Sequence, residues 1–261
     1  MAEIIAVVSG KGGVGKTTAA ANLGVALAAM GKRVLLIDGD IGLRNLDVVL
    51  GMQNNVVFDF LDVIEGRCDL RKAIITYDKF SGLKLLSAPQ TADNIKIARD
   101  DIKNLIEKLR VYYDYIFIDC PAGIDEGFEI MASCADMALV ISTPEIISIR
   151  DADRVVAKLE KLNIEKSFLI INKIRVDMIK KGDMIDIDNI INVVAIPLIG
   201  AIPDDLSVIT ANNKGCPVIL KSKSRVGKAY YNIAKRLTGE KVPILEDEKK
   251  GIVRFFSLIF R

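Results

Sequence analysis

Short apolar runs rich in β-branched residues alternate with longer segments of helical periodicity along most of the chain. The runs have the length of buried strands, and the segments between them repeat apolar positions every three to four residues. Strands are predicted at residues 3–8, 33–37, 83–86, 115–119, 137–142, 168–172 and 193–202, and helices at 17–30, 93–113, 146–162 and 226–237. This alternation predicts an α/β fold, with a mostly parallel, doubly wound sheet and helices on both faces. The loops after the strands of such a sheet share one edge, where ligands bind.

The pattern changes near the end of the chain. Residues 240–248 are short of apolar side chains and contain Pro243 and an acidic run, which is typical of a linker. The sequence therefore predicts a domain over residues 1–239, followed by this linker and by an amphipathic segment over residues 249–261.

The last segment has two chemically different sides when it is drawn as a helix of about 100° per residue. Lys250 and Arg254 lie on one side. The opposite side carries Ile252, Val253, Phe255, Phe256, Leu258, Ile259 and Phe260. Such a C-terminal amphipathic helix is suited to lie in an anionic membrane surface. The alternative is a terminal helix that packs on the domain.

The composition removes whole classes of chemistry. The 261 residues include no histidine, which excludes Ser-His-Asp triads, Cys-His pairs and histidine metal ligands. There are 36 Lys and Arg against 34 Asp and Glu, and the net charge of +2 argues against a surface that binds nucleic acid throughout. The four cysteines form no CxxC pair, which is typical of a reduced, cytosolic chain. Carboxylates, lysines, backbone N–H groups and an oxygen-bound metal remain.

A glycine-rich loop lies between the first predicted strand and the first predicted helix. It fits the pattern G-x-x-x-x-G-K-[ST] and consists of Gly10, Lys11, Gly12, Gly13, Val14, Gly15, Lys16, Thr17 and Thr18. Glycines let successive N–H groups point at phosphate oxygens, and the positive end of the next helix adds to that field. Lys16 would reach the β- and γ-phosphates, and the Thr17 hydroxyl would bind Mg²⁺. The loop predicts a nucleotide site.

Carboxylates follow two further strands of the predicted sheet. Asp38 and Asp40 follow the second strand, and Asp119 ends the run over residues 115–119 in the Walker B arrangement. Carboxylates beside a phosphate loop can hold the waters of Mg²⁺ or orient an attacking water. Asn172 follows another strand, and its amide offers the donor and the acceptor that suit an adenine edge.

The second lysine of the loop, in the form K-G-G-x-G-K-[ST], resembles the signature-lysine, or deviant Walker A, P-loop ATPases of the MinD/ParA family. The resemblance covers about residues 3–261. It implies a P-loop NTPase fold, ATP and Mg²⁺ as ligands, ATP hydrolysis and an ATP-dependent homodimer. In this family the matching lysine, Lys11, contacts the phosphates of the other subunit. Lys11, Lys16 and Asp40 would be the catalytic residues, with Asp40 positioning the water.

The resemblance also assigns the remaining ligand contacts. Thr17, Asp38 and Asp119 would lie near the metal, and the Gly123 N–H would sense the γ-phosphate. The adenine contacts would come from Asn172, Arg175, Pro203 and Asp204.

The amphipathic tail and the run 40–47 resemble the branch of this family that places the division septum. That branch implies a protein that recruits the division inhibitor MinC to the membrane when it is dimeric and ATP-bound. MinE-stimulated hydrolysis then releases it, so it cycles between the cytoplasm and the inner face of the cell membrane. The helix around residues 146–154, with Asp151 and Asp153, is a candidate partner surface. No specific nucleic acid is expected.

Two other functions stay open. A DNA partition ATPase would need a basic patch, for which Lys221, Lys223 and Arg225 are the best candidates. An iron–sulfur carrier would need paired thiolates at the dimer face, for which Cys120 and Cys134 are the only pair near the nucleotide edge.

Overall fold

One eight-stranded sheet runs through the computed structural model, which describes residues 1–90, 98–221 and 223–244. Its strands are β1 (Glu3–Val8), β2 (Val34–Asp38), β3 (Ile74–Thr76), β4 (Leu83–Leu86), β5 (Tyr115–Asp119), β6 (Met137–Ser142), β7 (Ser167–Ile174) and β8 (Leu198–Pro203). They lie in the order β3-β4-β2-β5-β1-β6-β7-β8, and every pair is parallel except β3 with β4. The α/β class and the mostly parallel sheet are therefore confirmed.

Helices cover both faces of this sheet. They are α1 (Lys16–Ala29), α2 (Leu46–Leu50), α3 (Phe60–Ile64), α4 (Leu70–Ala73), α5 (Arg99–Leu109), α6 (Glu126–Ala132), α7 (Ile146–Lys161), α8 (Val176–Lys181), α9 (Ile187–Val194), α10 (Leu206–Asn213) and α11 (Arg225–Leu237). Alternate residues of β1 enter different cores: Ile4 belongs to the core that includes side chains of α5 and α7, whereas Ile5 belongs to the core that includes side chains of α1 and α11. Burial on both sides explains why the central strands are apolar at consecutive positions.

The predicted strand over residues 193–202 is wrong in its first part. Residues 193 and 194 end α9, and β8 begins only at Leu198. The Asp186 carboxylate accepts the Asn189 N–H and starts the helix, and Ala195 ends it in the left-handed region at φ 56°. A capped helix thus overrides the β-branched composition of this segment. Residues 91–97 lie outside the described part, so the start of the predicted helix over residues 93–113 is not tested. Its predicted end is wrong, because α5 ends at Leu109 and residues 110–112 form a turn before β5.

The first residues of the predicted linker are fastened to the body of the domain. The Arg236 guanidinium, at the end of α11, donates to the Val242 carbonyl at 2.8 Å, to the Pro243 carbonyl and to the Ile199 carbonyl of β8 at 2.8 Å. Ile244 packs against the core. The predicted amphipathic helix over residues 249–261 lies outside the described residues. Across the described ranges, no helix is both long and apolar enough to cross a membrane.

Candidate nucleotide-binding site

The carboxyl ends of β1, β2 and β5 bring the predicted phosphate loop and two predicted carboxylates together. Asp38 and Asp119 are register partners in the β2–β5 ladder, and Val7 of β1 pairs with Asp119 on the other side. The loop leaves β1 two residues later and ends where α1 begins at Lys16. The strand order thus places the three motifs side by side at the predicted edge of the sheet.

Two positions of the phosphate loop require glycine because they lie too close to β7 and α7 for a Cβ atom. Gly15 has φ 98°, and a Cβ there would lie 2.3 Å from the Asn172 Nδ2. A Cβ on Gly10 would lie 2.6 Å from the Cβ and the carbonyl oxygen of Asp151 on α7. Side chains at these positions would force the loop away from β7 and α7.

The Lys16 ammonium lies under the loop and is paired with Asp119. The Lys16 Nζ and the Asp119 Oδ1 are 3.0 Å apart, and the two side chains are only 8% and 1% exposed. Burial lowers the pKa of Lys16, but the charge and hydrogen bond of Asp119 outweigh burial, so that the pKa is raised overall. Lys16 therefore stays charged and is available to bind a phosphate.

Asp38 anchors the segment that follows β2. Its carboxylate accepts the N–H groups of Asp40 at 3.0 Å and Leu46 at 2.9 Å, and it is fully buried. Burial, together with the charge of Asp119, raises the pKa of Asp38 to about 7 against the opposing effect of those N–H groups. Burial also raises the pKa of Asp40, while the charge of Lys16 opposes that rise. Asp38, beside Asp119, and Asp40, beside Asp119 and Lys16, therefore both have raised pKa values.

Lys11 lies on the exposed side of the loop. Its Nζ is 3.4 Å from the Glu145 Oε2, and its side chain is 46% exposed. An exposed ion pair of this kind contributes little to stability, so it can exchange for another anion. The position is compatible with the predicted contact across a dimer interface, which stays a prediction.

Three further predicted contacts of the nucleotide, those of Thr17, Thr18 and Gly123, lie around the phosphate loop. Thr17 is partly exposed at the start of α1. The Thr18 hydroxyl accepts a hydrogen bond from the Asn212 Nδ2 at 3.0 Å, so it faces α10. The Gly123 N–H donates to the Ser9 carbonyl at 2.9 Å. If Gly123 acts as the predicted sensor, a γ-phosphate oxygen would have to replace that carbonyl as the acceptor.

The predicted adenine contacts converge at the ends of β7 and β8. Ile174 is the register partner of Pro203, and the Asp204 N–H donates to the Ile174 carbonyl at 2.9 Å. Arg175 is half-exposed, with its Nη2 3.5 Å from the Asp177 Oδ2. The Asn172 amide donates to the Val14 carbonyl at 2.7 Å and thereby holds the phosphate loop. Its contact with adenine stays a prediction.

The residues present fit a magnesium ion bound mainly by water and phosphates. The Asp119 Oδ2 is buried and has no hydrogen-bond partner among the described residues. No group of three or more acidic or thiol side chains in the described ranges could hold a metal by itself. An ion at this edge would therefore rely on the Thr17 hydroxyl, the bound phosphates and water held by Asp119 and Asp38.

Three residues that contact the phosphate loop or α1 were not predicted from the sequence. They are Glu145 beside Lys11, Asn212 beside Thr18, and Lys173, whose Nζ donates to the Gly13 carbonyl at 2.7 Å. Each is more than 130 residues from its partner in the chain. No local pattern could have found these contacts, because only the sheet order brings the segments together.

The two cysteines of the iron–sulfur alternative are both buried. Cys120 is 0% exposed and Cys134 is 6% exposed. Burial raises the pKa of Cys120, and it raises the pKa of Cys134 to about 11. Both are therefore neutral thiols inside the domain, which argues against a cluster shared at a dimer face.

The site combines a glycine-rich phosphate loop after β1, a buried lysine, and an aspartate at the end of the neighbouring strand β5. This combination defines a P-loop nucleotide-binding protein. Residues 5–218 match the model of the CobQ/CobB/MinD/ParA nucleotide-binding domain, and the chain belongs to this family. The resemblance drawn from the loop lysines is thus confirmed.

Within this family the chain is similar to proteins of septum placement. It is 49% identical to the septum site-determining protein MinD of Bacillus subtilis, over 100% of this chain and 98% of that protein. The MinC:MinD cell division protein complex of Aquifex aeolicus contains a chain that is 42% identical, with a TM-score of 0.89 over 94% of this chain and 99% of that one. The septum site-determining protein MinD complexed with Mg-ADP from Pyrococcus horikoshii is 32% identical, with a TM-score of 0.83 over 91% and 96%.

Proposed function

We propose that the protein is a magnesium-dependent ATPase that forms a homodimer with ATP, attaches to an anionic membrane surface and takes part in placing the division septum. The buried Lys16–Asp119 pair beneath the phosphate loop carries the enzymatic part of this proposal. The likeness to MinD proteins over the whole chain supports the cellular part.

Nucleotide binding would exchange the partner of Lys16. Lys16 would leave the Asp119 Oδ1 and donate to the β- and γ-phosphates, whose negative charge would replace that of Asp119 and keep the buried ammonium charged. That exchange would free both Asp119 oxygens to hold water on Mg²⁺, which neutralises phosphate charge when bound. Lys16 and Asp119 would thus neutralise each other in the nucleotide-free protein, and the nucleotide and its metal ion would neutralise them in the bound state.

Asp40 would orient the attacking water. It lies two residues beyond Asp38, which accepts its N–H, and the charge of Lys16 acts on its carboxylate. Phosphoryl transfer to water depends mainly on positioning and charge stabilisation, and the products are ADP and phosphate. Lys16, the signature lysine Lys11 and Asp40 can supply these effects without an imidazole.

Membrane attachment would come from residues 249–261. One short amphipathic helix binds lipid weakly, and two helices on an ATP-bound dimer bind with avidity. ATP would therefore place the protein at the inner face of the cell membrane and hydrolysis would return it to the cytoplasm. MinC would bind the membrane-attached dimer, and MinE would stimulate hydrolysis.

Co-sedimentation with vesicles of mixed anionic and zwitterionic lipid tests this function. The full chain is expected in the pellet with ATP and in the supernatant with ADP. A chain that ends at Lys249 is the control: it should hydrolyse ATP and stay in the supernatant with both nucleotides. Pelleting of the truncated chain to the same extent would contradict the membrane role of the tail.

A DNA partition function is the second candidate, because one cavity on the described surface is strongly basic. The cavity has a volume of about 390 Å³, and its walls include Lys221 and Lys223, which precede α11, and Arg225 and Lys228 in the first turn of that helix. Gel shifts with non-specific DNA, with and without ATP, separate the two functions. ATP-dependent DNA binding without vesicle binding would favour the partition ATPase.

A further inference from the structure

The end of β7 is irregular where it passes the phosphate loop. The β7–β8 ladder is interrupted between Ile171 and Ile174. Inside this interruption Lys173 has φ 58°, in the left-handed region that a lysine rarely adopts. Irregularities of this kind redirect side chains, and strained residues persist where the surrounding contacts hold them.

The side chains of the irregular segment bind two consecutive carbonyl groups of the phosphate loop. The Lys173 Nζ donates to the Gly13 carbonyl at 2.7 Å, and the Asn172 Nδ2 donates to the Val14 carbonyl at 2.7 Å. The Lys173 N–H donates to the Asn172 Oδ1 at 2.9 Å, which fixes the orientation of that amide. The two residues therefore act together on the outside of the loop.

These contacts determine which way the loop's N–H groups point. In a planar trans peptide the C=O and the N–H of one peptide unit point in opposite directions. When the carbonyls of Gly13 and Val14 face Lys173 and Asn172, the N–H groups of Val14 and Gly15 face the inside of the loop. N–H groups on the inside are those that a glycine-rich loop offers to phosphate oxygens.

We propose that Lys173 is a positioning residue of the phosphate site, which keeps the Val14 and Gly15 N–H groups directed at the phosphates of the bound nucleotide. This role rests on the proposed function as an ATPase. Core packing does not account for the residue, because Lys173 is exposed and its ammonium binds a neutral carbonyl.

Displacement of a fluorescent ADP analogue by pyrophosphate tests the proposal, since pyrophosphate reports on the phosphate site without the base. Lys173→Met keeps most of the side-chain volume and removes the donor, and it should weaken pyrophosphate and ADP binding by about tenfold. Lys173→Arg, which can still donate, should retain most of the affinity. The matched control is Lys180→Met, which removes an exposed lysine of α8. Equal affinities for Lys173→Met and Lys180→Met, or equal losses for the Met and Arg variants, would overturn the proposal.

Lys173→Gly separates positioning from stability. Glycine adopts a positive φ readily, so this variant should melt at the same temperature as the native chain or higher, while its pyrophosphate affinity falls about tenfold. A variant that keeps both its melting temperature and its affinity would overturn the proposal.

Amide hydrogen exchange in the nucleotide-free protein tests the loop without relying on ATP binding. The peptide that covers residues 11–18 should exchange faster in Lys173→Met than in Lys180→Met. If the native chain binds no nucleotide, the proposed function fails, and the exchange result still decides whether Lys173 orders the loop. Unchanged exchange would overturn the proposal.

Discussion

The two edges of the sheet satisfy their charges in opposite ways. At the amino edge, ion pairs close the ends of the strands: the exposed Arg33 lies 2.8 Å from Asp114, and the partly buried Arg110 lies 2.8 Å from Asp136. The carboxylates of these pairs also accept backbone N–H groups, those of Arg33 and Ile4. The charges at this edge are satisfied within the chain.

At the carboxyl edge, the charges are buried and unbalanced. Lys16 pairs with Asp119, one Asp119 oxygen has no partner among the described residues, and the charge of Asp119 acts on the neighbouring buried Asp38. Buried charge without full compensation is unfavourable in the free protein. The comparison shows that the ion pairs completed within the chain lie at or near the surface, whereas the buried charges lie at the edge where a bound nucleotide would compensate them.

Of the changes at the two edges, Lys16→Ala should have the largest effect, on the affinity for ATP. It removes the ammonium that would bind the phosphates and leaves Asp119 buried without its partner, so the affinity for ATP should fall at least about a hundredfold. Nucleotide titration by calorimetry checks this. Arg33→Ala, which breaks an ion pair at the amino edge, is the control and should bind ATP normally. Native affinity in Lys16→Ala would refute the assignment of the loop.

Asp40→Ala should affect turnover and spare binding. Loss of the group that orients water lowers phosphate release by about a hundredfold or more, while the affinity for ATP changes by less than about threefold. Steady-state phosphate release and nucleotide titration check the two halves. Asp78→Ala, which removes an exposed carboxylate outside the site, should change neither. Undiminished hydrolysis in Asp40→Ala would count against the water-positioning role.

The pH dependence of stability should expose the buried carboxyl groups. Because burial raises the pKa of Asp38 to about 7, the folded chain holds a proton between about pH 4 and pH 7 that the unfolded chain has lost. The free energy of unfolding of the nucleotide-free protein should therefore decrease as the pH rises through this range. Melting temperatures from pH 5 to pH 8 measure the decrease. Asp38→Asn should flatten the profile, and an equally steep profile in that variant would argue against Asp38 as its source.

Arg33→Ala should have the smallest effect. The Arg33–Asp114 pair is exposed, and the pair lies at the edge opposite to the phosphate loop. Its loss should shift the melting temperature by less than about 2 °C. Differential scanning calorimetry checks this shift, and a drop of many degrees would show that the amino edge also depends on its charges.

The sequence predicted the parts of the fold whose patterns are strong and local. The central strands β1, β5 and β6 match the predicted bounds, because burial on both faces makes their residues uniformly apolar. Strand β3, which has only three residues, and the short helices α2, α3 and α4 were not predicted. A helix of four or five residues makes little more than one turn and shows no repeat of apolar positions, and a strand of three residues is too short to form an apolar run.

In the candidate site, too, residues in local motifs could be predicted, and contacts between distant segments could not. The phosphate loop, Asp38, Asp40 and Asp119 could be predicted because each ends or follows a strand in a recognisable motif. The roles of Lys173 and Glu145 could not be predicted, because their partners lie 160 and 134 residues away. The Asn172 amide was predicted to read a base, and the structure adds a bond to the phosphate loop that no sequence pattern indicates.

The Arg236 contacts set how far the domain can stand from any surface that its tail engages. Because Arg236 holds the Pro243 carbonyl, only five residues separate that point from residue 249. The six Cα–Cα steps from Pro243 to residue 249 span at most about 22 Å even when the chain is fully extended. A lipid bilayer bound by the tail would therefore lie within about two helix diameters of the β8 edge. This short reach would restrict the orientations in which partners in solution can approach the attached domain.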